Sequence, residues 1–545
     1  MKRSLLFLIF ALLVTNIFSA EVKSGQGIAY YKAGFSQVAK PLLINEYKSD
    51  TLTRSEICYY LGYIYFEENK TDSASLFFKR GMSAQPVYSL NAVGIAMLKM
   101  KSDLVGAEAD IKSILKIKGN NKKEDIMIAI SRAYLMNGQI EKALNYHEIA
   151  KNIKSKSAAA AVLLGDINLA KKDLGAACSN YEVAILYDEN CKEAYIKYAR
   201  AYKNANPTLS IEMLNRLKQK EPRFLLVDKE LADIYYSQNN FEQAAQLYSN
   251  YLQSGNSNVQ DLTKYAMTLF LNEDFTKSLE VANLGLQKAP RNPAFNRLAM
   301  WNNVDLKQYD NAIKAADLFF NHTDKPDLNY LDYRYYGQAL RETKQFELAI
   351  LQFQTALKMD STKVELWKDI SDMYNDKADY KNSITAYNKY LNYLSEDKKT
   401  ADVIIALGKL YYSLGNNQAE DVIIRNEGLT HADSVFSVVA TLEPTGYRGN
   451  FWRARANSAL DPESSKGLAK PFYEQTATLI ESKADPRFNT VLIECYSYLG
   501  YYSLVFKKDN ALSLSFWNKI IAIDPNNATA KKAIEGIEKV MKGKK

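Results

Sequence analysis

The sequence predicts an all-α chain, an α-solenoid of antiparallel helix pairs, and three observations predict it. The first is a beat of about 34 residues, carried by small residues at Gly62, Gly94, Ser131, Gly165, Ala199, Ala232, Ala266, Gly337, Ser371, Gly408, Ala456 and Gly500, with Met300 in the same register. Seven of the twelve steps fall within two residues of 34. The second is a signature inside the beat: a small residue, then Ala or Ser twelve on, an aromatic sixteen on and a small residue nineteen on. Gly62 with Ala74 and Phe78, Gly165 with Ala177, Tyr181 and Ala184, and Gly337 with Ala349, Phe353 and Ala356 are its clearest copies. The third is the placing of Pro86, Pro222, Pro290, Pro444 and Pro525 near repeat ends, where a residue without an N–H stops a helix.

Each observation has a physical cause. A small residue on the first helix of a pair lets the second approach closely, and the Ala or Ser twelve on sits at that crossing. The aromatic on the second helix fills the gap between neighbouring repeats. One helix pair cannot bury its apolar face alone, so pairs stack into a continuous core.

The elements follow in order. In residues 1–20, Lys2 and Arg3 precede an apolar stretch over 5–14 and a more polar tail, the pattern of a secretory signal peptide with cleavage after Ala20. Phe18 is bulky for its place before that cut. The apolar stretch is shorter than the roughly 20 residues that span a bilayer. Residues 21–50 read as a degenerate half repeat or cap, with Pro41 inside it, and residues 51–415 as the regular array. Residues 416–525 read as divergent repeats with insertions. There the extra residues 418–430 hold no Pro and one Gly and predict a lengthened helix, whereas 461–467 predicts a loop. Residues 526–545 read as a capping helix and a basic tail.

The signature carried by Gly62, Ala74 and Phe78 and its later copies resembles the tetratricopeptide repeat. The resemblance implies a right-handed superhelix that holds a peptide segment or a partner protein in its concave groove. Pentatricopeptide repeats, which read single-stranded RNA, fit less well with the secretory signal and the aromatic-and-Ala signature, and Sel1-type repeats are more Gly-rich with longer, more variable periods. The long exported array also resembles periplasmic tetratricopeptide proteins of Bacteroidota, which implies a non-catalytic scaffold in envelope assembly or transport.

In this family the groove is lined by first-helix positions three before the small residue and one and four after it. The N-terminal ones are apolar or aromatic, among them Tyr59, Tyr63, Phe66 and Ile128. From the middle onward they are often basic: Arg200, Lys203, Lys229, Arg297, Arg334, Arg341, Lys368, Lys409 and Arg453, with Trp301, Gln338 and Asn375 beside them. Read in sequence, no acidic first-helix series answers that basic row, although Asp166, Asp233 and Asp372 interrupt it. Guanidinium forks suit carboxylates and amides suit a peptide backbone. The groove candidates are therefore Tyr63, Phe66, Arg200, Lys203, Lys229, Arg297, Trp301, Arg334, Gln338, Arg341, Lys368, Asn375, Lys409 and Arg453. Lys368 with Asn375 partly echoes the family's carboxylate clamp, and Lys409 does not complete it.

Other chemistry finds no signature. His147, His322 and His431 are scattered, with no HExxH or CxxC spacing, so no metal site is expected. His147 takes an aromatic position of its repeat and is expected to pack there. No phosphate-binding glycine loop or nucleophile elbow occurs; no catalytic residue and no cofactor are expected. The formal charge of +8 falls to +6 when Lys2 and Arg3 leave with the signal, too mild to argue for nucleic acid. The four Cys are expected to stay unpaired and mostly buried. The alternatives are the substrate-recognition part of an envelope enzyme and a homo-oligomer joined through residues 416–470. The expected place is the periplasm, with no transmembrane segment after signal cleavage.

Overall fold

The computed structural model describes residues 25–252 and 258–542. The signal peptide read in residues 1–20 and the last three residues of the basic tail lie outside the described residues. All regular structure within them is helical: 29 α-helices and three short 3-10 helices. No described helix is long and apolar enough to cross a membrane. Consecutive helices pack as antiparallel pairs, for example Arg54–Glu67 with Thr71–Ser83, Ala158–Ala170 with Leu174–Tyr187, and Tyr330–Glu342 with Phe346–Met359.

All thirteen register positions fall on first helices and are buried. At glycine positions the crossing is a backbone-to-ring contact. A Cβ on Gly165 would stand 2.4 Å from Tyr181, one on Gly337 2.5 Å from Phe353, and one on Gly408 2.4 Å from Phe436. Where Ser stands at the crossing, its hydroxyl donates to a carbonyl of the facing helix. Ser131 reaches Ala143 O at 2.6 Å, Ser210 reaches Ala199 O at 2.9 Å, and Ser278 reaches Ala266 O at 2.8 Å. A buried hydroxyl is thereby satisfied without opening the helix pair.

The turn within each pair is also repeated. Seven residues after the small position the backbone enters the left-handed region, at Asn69, Lys172, Asn239 and Glu273 and again at Lys344 and Ala378. The next amide bonds back across the helix end, as in Asp173 N to Asn168 O at 2.9 Å and Asp379 N to Tyr374 O at 2.9 Å, which closes a Schellman-type terminus. Asp173, Asp274 and Asp379 then cap the following helix through their carboxylates.

The chain divides into two compact units. One comprises the described residues up to Leu306 with Asn321–Asp324; the other comprises Lys307–Phe320 and the residues from Lys325. The division falls inside the stretch that reads in sequence as one regular array.

In the first unit, residues 25–50 form a helical hairpin, Gln26–Lys32 and Ser36–Ser49, with Pro41 inside the second helix. It packs on the adjacent helix, with Tyr31 5.3 Å from Tyr60 between ring centroids and Lys40 bonded to Glu68. It also reaches the repeat that carries Ala199, through the helix Lys192–Tyr202 and the turn that holds Phe224. Tyr30 and Phe35 lie 5.9 and 6.0 Å from Phe224, and Arg200 donates to Gly34 O at 2.8 Å while lying over the Phe35 ring. Gly34 sits at φ +80, and a Cβ there would meet that guanidinium at 2.8 Å.

In the second unit, the extra residues from 422 on lie in a 21-residue helix, Val422–Leu442, capped by Asp421, while 418–421 form the turn before it. Its extension crosses Ala401–Asn416 at Gly415 and Gly428, where a Cβ on Gly428 would stand 2.9 Å from Gly415 N. The loop at 461–467 winds around one carboxylate: Asp461 accepts from the amides of Lys466 and Gly467 at 2.9 and 2.8 Å. The last helix, Ala528–Lys542, buries Ala530 and Ile537. All four cysteines are free thiols; Cys58, Cys178 and Cys495 are buried and Cys191 is half-buried.

Candidate functional site

Three groove candidates share one face of the helix Tyr330–Glu342. Arg334, Gln338 and Arg341 stand at i, i+4 and i+7, which aligns them along a helix. With Glu342, Phe353 and Asp369 they line a recess of about 190 Å³. The three supports come from successive elements: Phe353 is the buried ring of the paired helix, and Asp369 comes from the next first helix, Glu365–Asp376. Arg341 donates to Asp369 at 2.7 Å. Burial, with Asp372 adding to it, raises the Asp369 carboxyl above its ordinary range, although Arg341 opposes the shift. Arg334 is exposed and lies over the Tyr335 ring at 5.7 Å. Neither its guanidinium nor the Gln338 amide forms a hydrogen bond among the described residues.

The other candidates are distributed differently from the sequence reading. Tyr63 and Trp301 are core residues, 1% and 6% exposed. Tyr63 sits edge-on to Phe78 and 4.8 Å from Tyr59, and Trp301 lies 5.4 Å from Phe270. Both are bulky enough to fill gaps between repeats, which removes them from any open surface. Phe66 is half-buried at the edge of the same core. Lys203 and Asn375 are exposed, with no side-chain bond among the described residues. Lys409 lies over Trp452 at 5.1 Å, and Arg297 over Trp301 at 5.6 Å.

Part of the basic row is answered by acids, contrary to the sequence reading. Arg200 pairs with Glu230 at 2.6 Å, Lys229 with Asp261 at 3.3 Å and Arg453 with Asp433 at 2.9 Å. Lys368 faces Asp372 at 3.5 Å. Glu230 and Asp369 both stand two residues before a small position, one repeat after the cation that each one meets. Reading that position alongside the basic ones would have found them.

A half-buried charge network in the first unit was also missed. Lys197 bonds Asp166 at 2.5 Å and Glu193 at 2.9 Å, Tyr181 donates to Asp166 at 2.9 Å, and Arg132 stands 3.8 Å from Glu193. Burial works against the Glu193 charge, but Lys197 and Arg132 outweigh it and hold that carboxyl below its usual range. Among the described residues, no group of three or more His, Cys, Asp or Glu is arranged to hold a metal.

Neither the family models nor the curated proteins contain a match to this chain. Among solved structures, it is similar to the C-terminal part of a TPR repeat-containing protein from Cytophaga hutchinsonii: 29% identity, 50% of this chain and 99% of that one, TM-score 0.40. It is similar to a tetratricopeptide repeat protein from Parabacteroides merdae at 16% identity, over 46% of this chain and 98% of that one, TM-score 0.31. A third is YrrB, described as a TPR protein with an unusual peptide-binding site: 17% identity, 38% of this chain and 92% of that one, TM-score 0.27.

Proposed function

We propose that this chain is a non-catalytic scaffold that binds a peptide segment or partner protein on its first-helix faces. The observation that carries the reading is the recess of Arg334, Gln338 and Arg341. It offers a guanidinium and an amide with no hydrogen-bond partner among the described residues, beside a buried ring. Such a set suits a peptide carboxylate and backbone. We place the scaffold in the periplasm, in an envelope assembly or transport complex, supported by the signal-like pattern of residues 1–20 and the resemblance of the repeats.

The test is affinity capture from envelope extract by the mature chain and by its Arg334→Glu/Arg341→Glu/Lys368→Glu variant. The reading expects partners recovered by wild type and lost with the variant; equal recovery contradicts it. A second reading, self-association, is favoured by Val422 and Ile423, which are 64% and 69% exposed at the start of the long helix. It expects a concentration-dependent mass in sedimentation that Val422→Ser/Ile423→Ser abolishes.

A further inference from the structure

The first unit contains a second recess, lined by Tyr59 and Ile128 from the first-helix groove positions. Its volume is about 460 Å³, within the range of roughly 300–1,000 Å³ typical of small-ligand sites. The N-terminal hairpin forms one wall through Ala29 and Lys32, and three tyrosines, Tyr59, Tyr60 and Tyr88, form another. Glu193 and its neighbours close the side that belongs to a later repeat. The hairpin reaches that repeat through Phe35 and Phe224, so the recess is bounded on both sides.

The helix Glu124–Met136 runs along it and presents Asp125, Ile128, Ala129 and Arg132. That spacing of i, i+3, i+4 and i+7 makes one stripe, and seven residues of helix rise about 10 Å. A carboxylate therefore stands at one end of the stripe and a guanidinium at the other. Arg132 is only 25% exposed, and among the described residues the carboxylate within 4 Å of it is that of Glu193, at 3.8 Å, with Asp166 acting on it from farther off. Its guanidinium forms no hydrogen bond among the described residues. Glu193 is already engaged by Lys197 at 2.9 Å. Among the described residues, the Asp125 carboxylate accepts only from the adjoining amide of Ile126, at 2.9 Å.

The lining cations Lys32, Arg132 and Lys192 are matched by Asp125, Asp188 and Glu193. A ligand of one net charge gains little from such a balance. A ligand with both charges, spaced as the stripe spaces them, gains at each end. Two to three extended residues span about 7–10 Å.

We propose that this recess binds a short peptide free at both ends. Its α-carboxylate lies on Arg132, its α-ammonium on Asp125, and its side chains lie against the half-buried Tyr88, with Tyr59 and Tyr60, each 4% exposed, forming the floor beneath. The tyrosine faces favour apolar and aromatic side chains without fixing one sequence. This site is independent of the Arg334 recess, and the failure of either leaves the other standing.

The test is calorimetric titration of the full mature chain with the tripeptides Ala-Leu-Ala and Ala-Phe-Ala. Each is used free, N-acetylated, and C-amidated. The free forms are expected to bind, and each blocked form to bind about tenfold or more weakly, since a charged hydrogen bond is lost. Arg132→Gln should remove the penalty for amidation and Asp125→Asn the penalty for acetylation. No binding of either free peptide to wild type overturns the proposal. So does equal binding of free and blocked forms, which needs no variant to fold. A doubly blocked Lys-Phe-Asp tripeptide that binds where the free peptides do not would also overturn it, because the site would then read side-chain charges within a longer chain.

Discussion

Gly62 and Phe78 meet so closely that a methyl group on the glycine would stand 2.3 Å from the ring, and Gly94 of the next repeat approaches the same ring from within 2.4 Å of its own missing Cβ. One aromatic side chain thus joins a helix pair to its neighbour. Gly62→Ala should destabilise the chain by about 1–2 kcal/mol, because overpacking costs about 1–3 kcal/mol and helix propensity returns up to about 1. The penalty should shrink in a Phe78→Leu background. A double-mutant cycle by urea denaturation checks both.

The hydroxyl of Ser278 donates to Ala266 O and accepts from the Asn302 amide, both at 2.8 Å and both buried. Ser278→Ala removes one bond and strands a buried amide donor. The expected loss is about 1–3 kcal/mol, read from the denaturation midpoint. Ser278→Gly should cost more, since it adds backbone freedom in mid-helix.

Arg200 fastens the N-terminal hairpin, since its guanidinium serves Gly34 O, the Phe35 ring and Glu230 together. Arg200→Ala should speed amide exchange in Gln26–Lys32 and Ser36–Ser49 by about tenfold, a local opening easier by about 1.4 kcal/mol. Exchange in Tyr330–Glu342 should not change. A uniform rise across the chain would contradict the fastening role.

His147 is 2% exposed. Burial lowers its pKa, with Glu148 opposing. The unfolded chain titrates near 6.5, so the unfolded state binds the proton first. Stability is therefore full above about pH 6.5 and falls as the pH drops below it. His147→Phe keeps the ring and removes the proton site. Wild-type Tm minus variant Tm should be more positive at pH 8 than at pH 5.5.

Burial pushes the thiols of Cys58, Cys178 and Cys191 up to about 11, and that of Cys495 higher still. Thiolate is the reactive form. Labelling with a disulfide reagent at pH 8 should therefore be slow in the folded chain, and all four should react after denaturation.

The repeat register was legible because each small position is a steric demand that recurs every repeat. The long helix Val422–Leu442 was legible from the lack of helix breakers in residues 418–430. The ion pairs were not. Arg341 and Asp369, or Arg200 and Glu230, are about one repeat apart, and periodicity read along one position does not show what the adjacent position offers across the stack. Tyr63 and Trp301 stand at groove positions in sequence yet bury, because a large ring is drawn to whichever gap is unfilled. The hairpin's contact with Phe224 links residues far apart in the chain, and no local pattern encodes it. The left-handed turns escaped notice because Asn, Lys, Glu and Ala fill most of them instead of Gly.

The central claim, that first-helix faces hold the partner, is tested most directly by site-specific photo-crosslinking in the envelope. A photoreactive residue replacing Gln338 is compared with one replacing Leu351, which is 53% exposed on the paired helix Phe346–Met359. The account predicts a discrete adduct from position 338, lost with Arg334→Glu, and none from 351. Adducts from 351 alone, or from neither position, would contradict it.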